Sequence, residues 1–343
     1  MLLVFKLVIF LSTHIRIMKQ SAMRRTIYRS TNLHVFSNQG VTAPENGIVV
    51  GFQNWRPTQG LDDPGFGETF LDKNRLAGVF VNCISNAWWQ YDDLPQALAA
   101  VASAAAPFEQ RITYGSSMGG YAALRFADLI GATLVIAASP QFSPRHEVVP
   151  VETRYMKAIC GVNFKYEDGL LPFKDITRYL LYDPLLKVDR EQVQRYAAFG
   201  SVHLVPMPAS GHPCLSLLLD QEGLSSTVKL MMSGHFNIAE FRTEQRHLRR
   251  TTFRYWEQLS FRFAERQRFV LASRIAEKAA EHFLDHRDRA LSLALRWTLY
   301  AGDHVRAGMI TTRISAGYPD AVRLWTEAFE HRRRVLARQS GTT

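Results

Sequence analysis

The chain has 343 residues, 47% of them hydrophobic and 21% charged, which is ordinary for a folded soluble protein and long enough for one large domain with a smaller appendage. Its three cysteines are widely spaced, which excludes a disulfide framework and a cysteine metal site and favours a reducing compartment. The net charge of +10 comes from both ends of the chain, but the basic residues after position 240 are scattered through helical sequence without an aromatic–basic motif, so they indicate a solvated surface and no nucleic-acid partner.

The first 25 residues are set apart as an extension. Their apolar run, Leu2–Leu11, is interrupted by Lys6 and is shorter than the about 20 residues that span a bilayer, so we expect no transmembrane segment. No basic segment precedes the run, and no clear cleavage site follows it. Three interpretations stay open: a translated upstream extension with the true start at Met18 or Met23, a disordered or surface-lying segment, and a poor signal peptide. The lack of a true targeting signal favours the cytoplasm.

Strand-like runs alternate with amphipathic helical segments over residues 26–225, and this alternation predicts an α/β domain. The strand-like runs are 47–53, 78–84, 111–117, 133–139, 179–184 and 202–208. The helical segments are 92–106, 119–131 and 189–200. Because the strands are apolar almost throughout, we expect a mostly parallel sheet covered by helices on both faces. The earlier sequence "TIYRSTNLHVFSN" predicts an antiparallel hairpin at the edge of that sheet.

Two further regions depart from this alternation of strands and helices. Residues 141–178 form a connection that is long for two sheet strands, and they are interpreted as an inserted cap or lid. Residues 226–343 contain no strand runs, and their apolar spacing of three and four predicts amphipathic helices. These helices are either degenerate tetratricopeptide-like repeats or a plain bundle. They are a candidate surface for a protein partner or for a homodimer.

A serine lies where a strand must turn into a helix. The sequence Gly115-Ser116-Ser117-Met118-Gly119 fits the pattern G-x-S-x-G with Ser117 at its centre, an apolar strand before it and an amphipathic helix after it. This sharp turn strains the central residue, and the glycines remove side chains that would clash. Ser117 is therefore the candidate nucleophile, whereas Ser116 lies one position too early. A glycine-rich packing turn is the structural alternative.

A serine nucleophile needs a base and an acid that orients the base. In this type of sheet they follow the serine in the order acid, histidine. His212, in "SGHP" after the last strand run, is the candidate base, because its small neighbours leave room for a substrate. The acid is either Asp189, just before a helix, or Asp183, at a strand end; we favour Asp189 and expect the other to be a turn or cap residue.

The remaining site residues are assigned by position. The backbone N–H of Met118, directly after the nucleophile, is the first candidate oxyanion donor, and that of Phe52 or Gln53, after an earlier strand, is the second. Three tryptophans are candidates either for an acyl or sugar pocket or for the core: Trp55, Trp88 and Trp89.

Together these residues resemble the α/β-hydrolase superfamily. The resemblance covers about residues 30–225 and rests on "GSSMGG" as nucleophile elbow, "YDP" with "VDR" as acid loop and "SGHP" as histidine loop. The chain is also similar to bacterial members of that superfamily in which such a catalytic body meets a helical carboxyl-terminal part. The resemblance implies a serine hydrolase or acyltransferase that needs no cofactor and no metal.

The expected activity is cleavage of an ester or thioester through an acyl-enzyme, with a small molecule or a saccharide or acyl ester as substrate. The same three residues would also serve an acyltransferase, in which an alcohol or sugar replaces water. A third possibility is an interaction protein that acts through its helical region. Neither the acyl group nor the alcohol can be read from the sequence, because a fold does not select a substrate.

Overall fold

The computed structural model describes residues 24–38, 47–167 and 176–315. The chain divides into two compact units, one running to Pro208 and resuming over His212–Arg242, the other comprising Ala209–Gly211 and the residues from Thr243 onward. Most of the predicted extension, residues 1–23, lies outside the described residues, and its predicted end at residue 25 is too late because the first strand begins at Arg24.

In the described residues of the first unit, eight strands form one sheet in the order β1-β2-β4-β3-β5-β6-β7-β8. The strands are β1 Arg24–Arg29, β2 Leu33–Asn38, β3 Ile48–Phe52, β4 Ala77–Cys83, β5 Arg111–Ser116, β6 Leu134–Ala138, β7 Thr177–Tyr182 and β8 His203–Pro206. From β4 to β8 every neighbouring pair is parallel. Strand β2 pairs antiparallel with both β1 and β4, which confirms the predicted edge hairpin.

The helices of the first unit follow the strands, as expected for right-handed crossovers. They are α1 Glu68–Lys73, α2 Leu94–Ala105, α3 Met118–Arg125, α4 Ala127–Ile130, α5 Lys187–Tyr196, α6 Leu215–Asp220 and α7 Leu224–Met232. The single helix predicted over 119–131 is two helices, α3 and α4. The Thr113 hydroxyl donates to the carbonyl of Ala123 at 2.8 Å, and this is the carbonyl that Ala127 would need in a continuous helix.

The core of the first unit lies on the inner strands. All residues of β3, β4 and β6 are buried, which is the reason that these strands are apolar except at Asn82 of β4. The first unit extends to Arg242, beyond the boundary predicted near residue 225. Phe236 explains the difference, because its ring packs on Tyr179 of β7 at 5.3 Å and so keeps the segment after α7 with the sheet.

The second unit is helical in its described part. Its helices are α8 Ile238–Leu248, which begins in the first unit, α9 Phe253–Glu265, α10 Phe269–His282, α11 Arg287–Tyr300 and α12 His304–Ser315. Small residues, such as Ala272, Ala276 and Ala294, are fully buried where consecutive helices meet. The indole of Trp297 donates to Ser260 across this core at 2.7 Å. The two predicted alternatives, degenerate repeats and a plain bundle, both stay predictions, and residues 316–343 lie outside the described part. Among the described residues, no helix combines the length and the apolar character needed to cross a membrane.

Candidate active site

Ser117 occupies a strained turn between β5 and α3. Its backbone angles are φ 56° and ψ −118°, outside the regions that side-chain-bearing residues favour. Two backbone hydrogen bonds stabilise this strained conformation. Ser117 N donates to Ala138 O at 2.9 Å, and Tyr121 N donates to Ser117 O at 3.0 Å. The side chain therefore lies at the carboxyl edge of the sheet, at the start of a helix.

Two glycines make this turn possible. A Cβ on Gly115 would lie 2.1 Å from the carbonyl oxygen of Gly119, and a Cβ on Gly119 would lie 2.3 Å from that of Phe52. Neither contact is tolerable for a real atom, so glycine is required at both positions by close backbone approach. These contacts also fix the start of α3 against the end of β3.

The structure brings Ser117, His212 and Asp189 into one hydrogen-bonded series. Ser117 Oγ lies 2.9 Å from His212 Nε2. On the other side of the ring, His212 Nδ1 lies 3.1 and 3.0 Å from the two carboxylate oxygens of Asp189. If the proton of the neutral ring is on Nδ1, where the carboxylate accepts it, Nε2 is free to accept the serine proton.

Asp189 is held charged although it is buried. It lies in the first turn of α5 and is 2% exposed. Burial alone would raise its pKa, but attraction to His212, the hydrogen bond to that ring and attraction to Arg154 outweigh burial, so the pKa of Asp189 is lowered. Arg154 Nη1 donates to Asp189 Oδ1 at 3.1 Å. Arg154 also binds Glu152 through its Nε and Nη2 at 2.9 and 2.6 Å.

Two residues that the sequence analysis missed complete the surroundings of the serine oxygen. Gln141 Nε2 donates to Ser117 Oγ at 2.8 Å and to the Tyr155 hydroxyl at 3.1 Å. The Tyr155 hydroxyl lies 3.4 Å from Ser117 Oγ and 3.3 Å from His212 Nε2. Gln141 follows a buried strand by three residues, which is a signal that could have been used. Tyr155, Arg154 and Glu152 lie within the non-periodic connection 141–178, where no sequence pattern marks single residues.

Asp183, the alternative acid, lies elsewhere. It is fully buried directly after β7, and its carboxylate accepts from Leu185 N at 2.9 Å, as in an Asx turn. Asp183 is therefore a turn residue, which is what we expect of the aspartate that does not bond to the histidine. The hydrogen bond of His212 Nδ1 is made to Asp189.

The predicted second oxyanion donor needs correction. Gln53 N donates to Val81 O at 3.1 Å, so this N–H continues the sheet hydrogen bonding and is not free. Phe52 is paired with strands on both sides, and its carbonyl oxygen is the one that approaches Gly119. A donor from this loop has to come from the residues after Gln53. Met118 opens α3, where the first N–H groups have no acceptor within the helix.

The tryptophans divide between core and edge. Trp88 and Trp89 are both fully buried, which agrees with the core alternative of the prediction. Both have positive φ, 47° and 65°, in a turn that carries the two rings into the core. Their indole N–H groups still serve the site, because Trp88 donates to Gln141 Oε1 at 3.4 Å and Trp89 to Met118 O at 3.1 Å. Trp55 is half-buried against the same core.

Taken together, the residues form a serine hydroxyl, an imidazole and a carboxylate in series, at the start of a helix. Such a series can remove the serine proton as the oxygen attacks an acyl carbon. Within the described ranges, no group of three histidine, cysteine, aspartate or glutamate side chains is arranged to hold a metal ion. Cys83 and Cys214 are buried, and burial raises the pKa of each thiol to about 12.

No protein-family model matches the chain, and no curated protein sequence matches it. Among solved structures, the chain is similar to the capsule O-acetyltransferase of Neisseria meningitidis serogroup A, with 9% identity, 60% of this chain and 93% of that chain covered and a TM-score of 0.43. It is also similar to the esterase Est2 of Thermogutta terrifontis, with 12% identity, coverages of 62% and 92% and a TM-score of 0.44. A third is a fluorophosphonate-binding serine hydrolase of Staphylococcus aureus, with 13% identity, coverages of 61% and 97% and a TM-score of 0.39.

These superpositions are loose, so the fold assignment depends on the molecule's own features. They are the sheet with its single antiparallel edge, the strained serine between β5 and α3, and the helices that follow the parallel strands. These features are the ones that the sequence resemblance to the α/β-hydrolase superfamily implies for the first unit.

Proposed function

We propose that the protein is a serine hydrolase that cleaves an ester or thioester, with Ser117 as nucleophile, His212 as base and Asp189 as the acid that orients it. The observation that supports this most directly is the unbroken series Ser117 Oγ, His212 Nε2, His212 Nδ1, Asp189, with every link between 2.9 and 3.1 Å. A structural serine would not need a strained backbone and a histidine brought from 95 residues away.

In the acylation step, Ser117 Oγ attacks the acyl carbon of the substrate. The serine proton passes to His212 Nε2, and the negative charge of Asp189 stabilises the imidazolium that forms. The tetrahedral intermediate carries its charge on the former carbonyl oxygen. When it collapses, the proton on Nε2 passes to the leaving oxygen or sulfur, and the acyl group stays on Ser117.

In the deacylation step, a water molecule takes the place of the leaving group. His212 Nε2 accepts a proton from this water as it attacks the acyl carbon. Collapse of the second intermediate returns that proton to Ser117 Oγ and releases the acid. The bonds broken and formed are those of simple hydrolysis, and no cofactor takes part in any step.

The oxyanion needs donors on the side of the serine that faces β3. Met118 N–H, at the start of α3, is the first donor in this proposal. Asn54 or Trp55, in the loop after β3, supplies the second, because Gln53 N–H is already bonded to Val81. Removal of a single such donor in an enzyme of this kind typically lowers the rate about 10²- to 10³-fold.

Acyl transfer to an alcohol or a sugar is the second candidate. It is favoured by the same contact of Ser117 with His212, because the hydroxyl of an acceptor can pass its proton to His212 Nε2 as water does. The proton transfers are the same, with the hydroxyl of the acceptor in the place of water. Product analysis with and without added glycerol separates the two activities.

The direct test is labelling with a fluorophosphonate probe, which reacts with an activated serine. The wild type should be labelled, and Ser117→Ala should not be. Ser116→Ala is the matched control, because Ser116 is the neighbouring buried serine and its hydroxyl has no hydrogen-bond partner among the residues that the structure describes. Its labelling should equal that of the wild type. Equal labelling of wild type and Ser117→Ala would refute the assignment.

A further inference from the structure

We propose that Tyr155 is a fourth catalytic residue: its hydroxyl donates a hydrogen bond to the oxygen that leaves the acyl group, and to the acceptor oxygen that enters in the second step. The inference rests on the proposed function, because it concerns the same reaction at Ser117. It assigns the leaving-group side of the site to a residue in the connection 141–178.

The sheet order identifies which side of the serine this is. Strand β5, which carries Ser117 at its end, has β3 on one side and β6 on the other. In the proposed function the oxyanion lies towards β3, on the side where the start of α3 approaches the Phe52 carbonyl. Gln141 follows β6, and His212 follows β8, so both lie on the opposite side, with the Tyr155 hydroxyl between them. That side is where the leaving group has to lie, because His212 must protonate it.

The distances place the hydroxyl near every atom that the leaving oxygen must approach. The Tyr155 oxygen lies 3.4 Å from Ser117 Oγ and 3.3 Å from His212 Nε2. In the tetrahedral intermediate the leaving oxygen is two bonds from Ser117 Oγ and within hydrogen-bond distance of Nε2. Both resting contacts are longer than the about 2.7–2.8 Å of a good O–H···O bond. The hydroxyl proton is therefore available to an oxygen that enters between these groups.

The hydroxyl keeps its proton and its position. Burial raises the pKa of Tyr155, and the nearby Arg154 only partly offsets this, so the hydroxyl is a neutral donor at the pH of most enzyme assays. Its ring packs edge-on against Trp88 at 4.8 Å, and the Arg154 guanidinium lies over it at 5.3 Å. Gln141 Nε2 donates to the tyrosine oxygen, which directs the tyrosine proton away from the amide and towards the reaction centre.

The proton balance leaves Tyr155 unchanged. His212 Nε2 delivers its proton to the leaving oxygen as the carbon–oxygen bond breaks, and Tyr155 stabilises the negative charge on that oxygen without losing its own proton. In the second step the acceptor passes its proton to Nε2 while its oxygen lies against the same hydroxyl. The contribution is therefore largest for a leaving group that is a strong base, such as an alkoxide, and smallest for a stable phenolate.

This dependence on the leaving group is the test. Tyr155→Phe removes the hydroxyl and keeps the ring on Trp88. Two esters with the same acyl group are compared, a p-nitrophenyl ester and an ethyl ester. On the ethyl ester, kcat/KM should fall about 10- to 100-fold, the effect of losing a hydrogen bond to a charged group. On the p-nitrophenyl ester it should fall by less than about threefold. Tyr166→Phe is the control, since it removes a hydroxyl of the same connection that bonds to Tyr91 O at 3.1 Å, and both rates should stay at the wild-type level.

The outcomes separate this inference from the proposed function. If the wild type turns over both esters and Tyr155→Phe loses the same factor on each, Tyr155 only supports the structure and the inference is wrong. No loss on either ester also overturns it. If the wild type hydrolyses no ester faster than Ser117→Ala does and takes up no fluorophosphonate, both the proposed function and this inference are wrong.

Discussion

Arg154 Nη1 donates to Asp189 Oδ1 at 3.1 Å, so the carboxylate that meets His212 also holds a guanidinium. The same guanidinium binds Glu152 at 2.9 and 2.6 Å, and Glu152 is fully buried. Two buried carboxylates therefore share one cation within the candidate site. The pair fixes the segment 152–155 against α5, and it keeps Asp189 charged where burial alone would favour protonation.

Arg154→Met removes this cation and keeps most of the aliphatic stem. Both carboxylates then stay buried without it, so the free energy of unfolding at neutral pH should fall by about 1–3 kcal/mol, less than for a fully buried pair because the Arg154 side chain is 28% exposed. Chemical denaturation measures the loss. The control is Arg145→Met, which breaks an arginine pair with the buried carboxylate of Glu167 in the same connection. It should destabilise comparably and leave the activity per folded molecule unchanged.

The pH dependence of the Arg154→Met variant gives a separate prediction. The folded pKa of Asp189 is lowered, so its contribution to stability is present above its unfolded pKa, near 4, and is lost as the pH falls through the lower folded value. Without Arg154 the folded pKa rises. Both stability and ester hydrolysis should therefore decline at a higher pH than in the wild type, as followed by thermal unfolding and by initial rates between about pH 4 and 7. Superimposable profiles would show that Arg154 has no part in keeping Asp189 charged.

The two aspartates of the acid loop should respond differently to the same substitution. Asp189→Asn removes the charge beside His212 and can leave the ring in the wrong tautomer, so kcat should fall by about 10⁴-fold. Asp183→Asn keeps an acceptor for Leu185 N, and its effect should be on stability, with kcat within about tenfold of the wild type. Steady-state kinetics on one ester decides the matter. A larger loss for Asp183→Asn would reverse the assignment of the acid.

The sequence predicts the sheet well because its inner strands are buried on both faces and so appear as apolar runs. The serine is found for a related reason, since a strained turn that only glycine neighbours permit leaves a local pattern. His212 and Asp189 are predicted only from their positions in the sequence, because each follows a strand by a few residues. None of these signals depends on contacts between distant residues.

Other features of the site depend on contacts that one-dimensional patterns do not encode. Backbone donors carry no side-chain signature, so the sequence does not reveal that the N–H of Gln53 is bonded to Val81 O. Tyr155 lies in a connection without periodicity, and only the tertiary fold carries its hydroxyl to the serine. An aromatic run such as the one at Trp88 and Trp89 is equally typical of a pocket and of a core, and only the tertiary fold shows that both rings are fully buried.

The cysteines provide a test against thiol chemistry. Cys160 is exposed, whereas Cys83 and Cys214 are buried and their thiol pKa values are raised to about 12. Only a thiolate reacts rapidly with iodoacetamide, so the native protein at pH 8 should take up one label, and the label should leave esterase activity unchanged. Mass spectrometry counts the labels. Cys160→Ser should take up none when native, and uptake of a second label by the native wild type would contradict the burial of the other two thiols.

Neighbouring glycines of α3 should tolerate alanine very differently. A Cβ on Gly119 would lie 2.3 Å from the Phe52 carbonyl oxygen, and strand β3 cannot retreat because it is paired on both sides. Gly119→Ala should therefore displace the start of α3, destabilise the protein by about 3 kcal/mol or more and abolish fluorophosphonate labelling of Ser117.

A Cβ on Gly120 would meet Pro140 and Ala138 at 3.1–3.2 Å, which requires only a small shift, so Gly120→Ala should keep most of the labelling. Gly308, inside α12, provides the baseline, because no atom of the described residues lies within 4 Å of its Cβ position, and Gly308→Ala should be neutral or stabilising by up to about 1 kcal/mol. Fluorophosphonate labelling and thermal unfolding, measured in parallel for the three variants, rank how well each position tolerates alanine. Equal behaviour of Gly119→Ala and Gly120→Ala would mean that the approach of β3 to α3 does not shape the serine turn.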